Sequence, residues 1–196
     1  MFRKSVPGIL IFFIMFLGAS CSTLKTEKRK EATDKKVYVT DKKSITILAP
    51  DELARDVDQL QLFTGEWNEK KITMQCYTVC DENGITVFLM NEFGIDMGTL
   101  SYKNGRVSVD SSFFPENIKG AYIIADLQNV YYDVSALERN YAHAGLAFKV
   151  IQLQDTELRT IYDGNVLIEK IEKYENKIVI HNFLRGYRFV LQGEGL

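Results

Sequence analysis

The 196-residue sequence contains few of the residues from which disulfide frameworks and metal sites are built. It has only three cysteines, two histidines and three prolines. This composition excludes a disulfide-rich scaffold and a histidine-rich metal protein. The net charge of -2 gives no reason to expect a nucleic-acid partner. With 46% hydrophobic residues, the chain is long and apolar enough for one domain with a substantial core.

The sequence also lacks the common catalytic motifs. It contains no phosphate-binding Walker loop, no glycine-rich dinucleotide turn and no HExxH zinc motif. His143 has no accompanying nucleophile motif, and His181 alternates with Ile180 as an outward-facing strand residue. Acid pairs such as Glu169 with Glu172 are predicted to lie outside the apolar settings that tune a carboxyl group. The sequence therefore predicts that the protein is not an enzyme, since a hydrolase would need an accessible cluster around His143.

The apolar run at the amino terminus is too short to cross a membrane comfortably. Val6–Leu17 is almost wholly apolar, but a transmembrane helix needs about twenty such residues. Arg3 and Lys4 precede the run, and small residues follow it up to Cys21. These features together predict a signal peptide over residues 1–20. Two alternatives remain open: an ordinary signal peptide with an incidental cysteine, and an uncleaved anchor.

The five residues Leu17–Cys21 resemble the lipobox of bacterial lipoproteins. The resemblance implies that residues 1–20 are removed and that Cys21 carries a covalent lipid, with no other cofactor. In lipoproteins of this kind an Asp after the cysteine favours retention in the inner membrane, whereas Ser22 does not. The resemblance therefore implies a lipid-anchored protein on the periplasmic face of the outer membrane of a Gram-negative bacterium.

A polar segment separates the cysteine from the predicted domain. Residues 22–43 carry eight Lys or Arg and four Asp or Glu, with few apolar side chains. Such a segment cannot bury enough surface to fold, so residues 21–43 are predicted to be the lipidated cysteine and a flexible basic stalk. The excess of Lys and Arg is consistent with weak attraction to anionic head groups or with a simple solvated linker. Residues 44–196 are predicted to form one domain.

The periodicity of this domain changes from strands to helices and back. Short runs of strand-forming residues separated by turn residues predict about nine strands in hairpin order. Their ranges, after a first strand over Ser44–Leu48, are Ile72–Cys80, Ile85–Met90, Thr99–Tyr102, Arg106–Asp110, Ala147–Leu153, Glu157–Tyr162, Val166–Tyr174, Lys177–Asn182 and Tyr187–Gln192. Helical spacing predicts helices over Glu52–Leu62, Pro115–Tyr132 and Ser135–Tyr141. We predict a mainly β fold with an α insert, built on a strongly curved antiparallel sheet.

Two interpretations of the apolar excess remain open at this point. Cys76 and Cys80 lie four residues apart on one strand, roughly 13 Å between their Cα atoms, which is too far for a disulfide. They are therefore predicted to be core residues. The helix at 115–132 either completes a filled core or acts as a lid over an apolar cavity for acyl chains.

The order of elements resembles that of LolB, the outer-membrane lipoprotein receptor, and of its soluble partner LolA. This order is a lipidated cysteine, a polar stalk, a short helix, hairpins, a helical insert and further hairpins. The resemblance implies an unclosed antiparallel β half-barrel with a helical lid over a lipid-binding cavity. Phe88–Gly94 (FLMNEFG) is similar to the leucine-rich strand and Asn-Pro-Leu-Gly turn of LolB. It implies that Phe93 is the residue of a membrane-contacting loop, although Glu92 replaces the proline.

The sequence resembles more closely a family of uncharacterised outer-membrane lipoproteins encoded with aryl polyene lipid biosynthesis genes. The matching segments are Asn91–Gly94, Thr99–Val107, Ala125–Gln128 and Tyr187–Phe189. Two functions follow as hypotheses. In the first, the domain receives a lipid or acylated ligand from a periplasmic LolA-like carrier or an inner-membrane exporter. The residues expected to line its cavity are Met74, Phe88, Met90, Ile123 and Leu127. In the second, the protein is a structural or scaffolding lipoprotein with a filled core that acts through a protein partner.

Overall fold

The computed structural model describes residues 35–111 and 119–193 of the chain. The predicted signal peptide, Cys21 and the first part of the predicted stalk lie outside these described residues, as does Pro115 at the predicted start of the helical insert.

The described residues form twelve strands and two α-helices. In chain order these are β1 (Lys36–Tyr38), β2 (Ser44–Thr46), β3 (Val57–Trp67), β4 (Lys70–Asp81), β5 (Gly84–Met90), β6 (Asp96–Lys103), β7 (Arg106–Asp110), α1 (Gly120–Tyr131), α2 (Val134–His143), β8 (Ala147–Gln152), β9 (Glu157–Asp163), β10 (Val166–Lys173), β11 (Lys177–Asn182) and β12 (Tyr187–Gln192). None of the described helices is long and apolar enough to cross a membrane.

Ten of the strands form one antiparallel sheet with two free edges in the described part of the chain. The strand order is β7-β6-β5-β4-β3-β12-β11-β10-β9-β8. Strands that follow each other in the chain pair as hairpins, except β7 and β8, which form the two edges. β12 pairs with β3 and brings the second group of strands beside the first. The predicted fold class is therefore confirmed: an unclosed antiparallel β half-barrel with a helical insert between β7 and β8.

In the predicted hairpins, Asn and Gly residues occupy the turn positions that have positive φ, as expected. The turn between β6 and β7 places Asn104 (φ 52°) and Gly105 (φ 70°) in the left-handed region, which Asn and Gly tolerate best. Gly84 has φ 129° at the start of β5, and a Cβ atom there would lie 1.9 Å from the carbonyl oxygen of Tyr102. Only glycine fits that approach of two backbones.

The helix predicted over Glu52–Leu62 is wrong. The segment contains a single 3₁₀ turn at Pro50–Glu52 and then enters β3. β3 pairs with β4 along its whole length and with β12 on its other side. These long-range hydrogen bonds override the weak helical spacing of the leucines. Leu60 and Leu62 are two residues apart on the outer face of the sheet and remain exposed.

A strand is present on the amino-terminal side of the predicted domain boundary at residue 44. β1 falls within the predicted stalk and pairs with β2 through Val37 and Ile45. Val37 and Val39 are buried in the core. These two valines at the end of the charged segment supply apolar surface that the core buries, which explains the strand at Lys36–Tyr38.

The helix α1 covers the inner face of the sheet. Its buried side chains include Ile124, Leu127 and Val130. Two cations of the sheet hold its C-terminal end: Arg159 Nη1 donates to the carbonyl oxygen of Asn129 at 2.8 Å, and Lys173 Nζ donates to that of Val130 at 3.1 Å. Positive charge at this end satisfies terminal carbonyls and complements the helix dipole. α2 begins with a side-chain cap, since the Asp133 side chain accepts from the backbone N–H of Ala136.

Candidate functional site: the cavity under helix α1

A cavity of about 70 Å³ lies between α1 and the inner face of the sheet. Its lining is apolar apart from one carboxyl group. The residues around it are Phe63, Trp67, Ile72, Met74, Cys76, Val87, Leu89, Leu100, Ile123, Asp126, Leu127, Ile180, Phe189 and Leu191. An engineered protein cavity of about 150 Å³ is known to hold one benzene molecule, so this space is about half that size.

Strand alternation places the cavity residues on the inner face. Met74 and Cys76 on β4 face the helix, and the cross-strand partner of Cys76 on β5 is Leu89. The roof comes from one stripe of α1, because Ile123, Asp126 and Leu127 are spaced three and four residues apart. The inward-facing residues of the strands and those of α1 therefore line the same apolar cavity.

Three of the five predicted cavity residues lie in this lining: Met74, Ile123 and Leu127. The placement of Phe88 and Met90 inside the cavity is wrong. They pair across the strands with Tyr77 and Gln75, on the outer face of the sheet. Phe88 is 40% exposed and stacks on Tyr77 with ring centroids 6.2 Å apart. The error arose because β5 is apolar at almost every position, so the sequence did not show which set faces inward.

The cavity opens toward the end of the sheet where β3 turns into β4. Phe63, Trp67, Ile72 and Ile123 are only partly buried there, whereas the deeper lining residues are buried. Trp67 is the single tryptophan of the chain. Phe63 packs against Phe189 with ring centroids 5.3 Å apart. Aromatic side chains thus form much of the rim of the opening.

The one carboxyl group in the lining belongs to a buried polar network. Asp126 on α1 accepts a hydrogen bond from the Tyr187 hydroxyl at 2.6 Å. The Asp126 and Glu169 carboxyl groups also hydrogen-bond to each other. Burial raises the pKa of Asp126 well above its ordinary value, and the nearby charge of Glu169 raises it further. Within the pair, Asp126 is therefore the carboxyl group whose neutral form is favoured by burial and by the charge of its neighbour.

Glu169 is surrounded by donors as well as by apolar side chains. It accepts from the Asn129 amide at 3.0 Å and from the Asn182 amide at 2.9 Å. Burial raises the pKa of Glu169, and these donors oppose that rise. This network was not predicted, because the carboxyl groups were expected to lie outside apolar settings. The spacing could have indicated it, because Glu169 lies two residues from the core residue Ile171 on the same strand and therefore points to the same face.

The predicted membrane-contacting residue lies at the tip of a tight turn. Phe93 is 79% exposed, and Ile95 in the same turn is also exposed. The Asn91 side chain orders the turn, since its Oδ1 accepts from the backbone N–H of both Phe93 and Ile95 at 2.9 Å. Gly94 has φ 76°, which suits glycine. An ordered turn thus holds two apolar side chains out in solvent.

A second apolar turn, which was not predicted from the sequence, lies at the same end of the sheet. Phe183 and Leu184 between β11 and β12 are both exposed. Because neighbouring strands are antiparallel, this turn, the Phe93 turn and the β3–β4 turn all lie at the end where the cavity opens. Leu153 is 52% exposed, as is Leu184, but it lies at the opposite end of the sheet.

The two described cysteines are free and buried, as predicted for core residues. Burial raises the pKa of Cys76 to about 11 and that of Cys80 to about 12. Cys76 lines the cavity, whereas Cys80 does not. His143 is exposed at the end of α2, and His181 stacks on Phe183 with ring centroids 3.9 Å apart. The two histidines belong to different parts of the structure.

Comparison with known proteins identifies the sheet and its insert as one family domain. The family described as "Protein of unknown function (DUF3261)" matches residues 58–193, a range that runs from the second residue of β3 past the end of β12. The comparison with curated proteins gives no match. The matched range contains every residue of the cavity lining.

Proposed function

The chain belongs to the DUF3261 family, and we propose that its domain binds the apolar chain of a lipid or acylated amphiphile under α1. The observation that carries the proposal is the cavity itself. An apolar space roofed by a single helix has a partly exposed aromatic rim at its open end. Ligand sites in proteins are typically concave, apolar and equipped with a small number of polar groups.

The size of the cavity sets a condition on this function. A volume of about 70 Å³ is too small for a whole acyl chain, so α1 and the rim side chains must move apart when a chain enters. Each methylene group that leaves water contributes about 0.8 kcal/mol. Burial of six methylenes therefore contributes roughly 5 kcal/mol, which is available to offset the displacement of one helix.

The amino-terminal segment supplies the cellular setting of the proposal. A covalent lipid on Cys21 would anchor the mature chain to the periplasmic face of the outer membrane. The fifteen residues from Cys21 to Lys35 span at most about 50 Å when fully extended. The domain would then remain near the bilayer, where Phe93 contacts lipid during transfer. The ligand would arrive from a periplasmic LolA-like carrier or an inner-membrane exporter.

Native mass spectrometry of the full chain released from detergent micelles tests the binding. We expect a bound lipid mass that survives removal of the micelle from the wild-type protein. Val87→Phe places a larger side chain in the lining and should reduce that bound fraction at least tenfold. Val79→Phe makes the same change on the opposite face of the sheet and should leave it unchanged.

The structural or scaffolding alternative is favoured by a different observation. The closed cavity is small, and the outer face exposes Leu60, Leu62 and Phe88, a surface suited to a protein partner. That alternative predicts that the wild-type chain is consistently free of bound lipid. It also predicts that Val87→Phe and Val79→Phe do not differ in their lipid-bound fraction.

A further inference from the structure

The buried carboxyl pair joins the roof of the cavity to its floor. Asp126 belongs to α1, whereas Glu169 lies on the inner face of β10. Tyr187, Asn182 and Glu169 lie side by side across β12, β11 and β10, so the network spans three strands beneath the helix. Asp126 also carries the one carboxyl group in the cavity lining. Any movement of α1 away from the sheet must separate this pair.

A hydrogen bond between two carboxyl groups requires a proton on one of them. With both groups ionised, two negative charges would face each other in a site of low polarity, which is strongly unfavourable. The hydrogen-bond donors around the two carboxyl groups indicate which of them is ionised. Glu169 receives two amide hydrogen bonds and is suited to the ionised form, while Asp126 receives one from Tyr187 and carries the proton.

We propose that the shared proton of Asp126 and Glu169 latches α1 onto the sheet, and that its loss to solvent releases the helix and opens the cavity. This inference rests on the proposed function only in naming the cavity as the ligand site. Ligand exchange would then be coupled to proton release, and it would become faster as the pH rises.

The two tyrosine hydroxyls beside the pair do not titrate in the same range. Burial raises the pKa of Tyr187 on β12 and of Tyr141 on α2 well above the ordinary tyrosine value, so both hydroxyls stay neutral. Arg185, in the turn before β12, is the nearby cation; its guanidinium lies 3.9 Å from the Tyr122 ring of α1 and donates to the Tyr38 carbonyl. β1, β2 and the turn between them line this region with apolar side chains, namely Val37, Val39 and Ile45.

The direction of the effect follows from linkage. In the closed state the pKa of Asp126 is raised, whereas in the open, solvated state it returns toward about 3.9. The closed state therefore binds the proton more tightly, and its advantage is lost as the pH rises toward the raised pKa. Between the open-state pKa and the raised closed-state pKa of Asp126, the fraction of molecules in the open state grows by up to about tenfold per pH unit. Above the raised pKa this fraction becomes constant.

Cys76 is an internal reporter of opening, because it lies in the cavity lining beneath α1. Its alkylation by N-ethylmaleimide in the full chain, read by peptide mass spectrometry, measures access to the cavity. Cys80 is fully buried outside the lining and reports global unfolding. Asp126→Asn keeps the size and both hydrogen bonds but cannot ionise. Asp133→Asn is the matched control, since asparagine also caps a helix well.

The alkylation rate of Cys76 in the wild type is divided by its rate in Asp126→Asn. Because the reactivity of the thiol itself depends on pH in both proteins, this dependence cancels in the ratio. We expect this ratio to rise between pH 5 and 8, by up to about tenfold per pH unit until it levels off, with Asp133→Asn following the wild type. The ratio of Cys76 to Cys80 labelling within the wild-type chain should also rise, and this second measurement does not depend on a variant.

Two results would overturn the inference. One is a wild-type to Asp126→Asn ratio that stays constant from pH 5 to 8. The other is Cys80 labelling that rises in parallel with that of Cys76, which would mean that the proton stabilises the whole fold and not the closure of α1. Neither result depends on a bound lipid. A failure of the latch is thus distinguishable from a failure of lipid binding, which native mass spectrometry reports.

Discussion

Replacement of Leu127 by alanine tests whether α1 is packed onto the sheet as a lid. Leu127 is buried and points into the cavity from the middle of the helix. The substitution removes three carbon atoms, which corresponds to about 2.4 kcal/mol of lost transfer free energy. It also enlarges the cavity by roughly 80 Å³, which at about 24 cal/mol per Å³ costs a further 2 kcal/mol. The expected loss in the free energy of unfolding is about 4 kcal/mol.

Thermal unfolding of the full chain, followed by far-ultraviolet circular dichroism, measures this loss. For a domain of this size each kcal/mol lowers the midpoint by about 2–4 °C, so we expect a decrease of roughly 8–16 °C. Leu62→Ala is the control: this leucine is 47% exposed on the outer face, and its loss should cost less than about 1 kcal/mol. The enlarged cavity, roughly 150 Å³, should also accept benzene, which would restore part of the stability.

A small effect of Leu127→Ala would refute this reasoning. If the variant unfolds within about 2 °C of the wild type, α1 is not packed against the sheet through this face, and the cavity is not an enclosed site. An equal loss in Leu62→Ala would point to the same conclusion, because it would show no energetic difference between the two faces.

Three further predictions concern the turn, the backbone and the polar network. Phe93→Glu should reduce transfer of lipid between the full chain and vesicles, whereas Leu153→Glu at the opposite end should not; equal rates would remove the proposed role of Phe93. Gly84→Ala forces a Cβ atom into a facing carbonyl at positive φ, and a loss of several kcal/mol in chemical denaturation is expected, with a loss below 1 kcal/mol as the contrary result. Tyr187→Phe removes the donor to Asp126 at 2.6 Å and should cost about 1–3 kcal/mol at neutral pH; an unchanged midpoint in urea would show that this hydrogen bond does not stabilise the closed form.

Local patterns predicted the hairpins because each strand and turn carries its own signal. β4 alternates cleanly between the inner residues Met74 and Cys76 and outer polar residues, and its inner face is as predicted. The Asn104-Gly105 turn also lies between the two strands that were predicted over Thr99–Tyr102 and Arg106–Asp110. The helical stripe of α1 likewise identified Leu127 as an inward residue.

Long-range pairing decided the features that the sequence did not reveal. β3 has leucines at spacings that suit a helix, and its strand state follows from pairing with β4 and β12. Phe88 was placed on the wrong face because both faces of β5 carry apolar residues. Glu169 was missed because a lone carboxylate in a strand is usually exposed, whereas here its partners come from α1 and β11.

The most direct test of the central claim is photocrosslinking of the full chain inside cells. Benzoylphenylalanine is introduced in place of Phe63, which lines the cavity, or in place of Phe88, which is exposed on the outer face. Both replacements extend an existing phenyl ring, so they are matched in chemistry. We predict a lipid adduct at position 63 that is at least tenfold more abundant than at position 88. No lipid adduct at position 63, or equal adducts at both positions, would contradict lipid binding under α1.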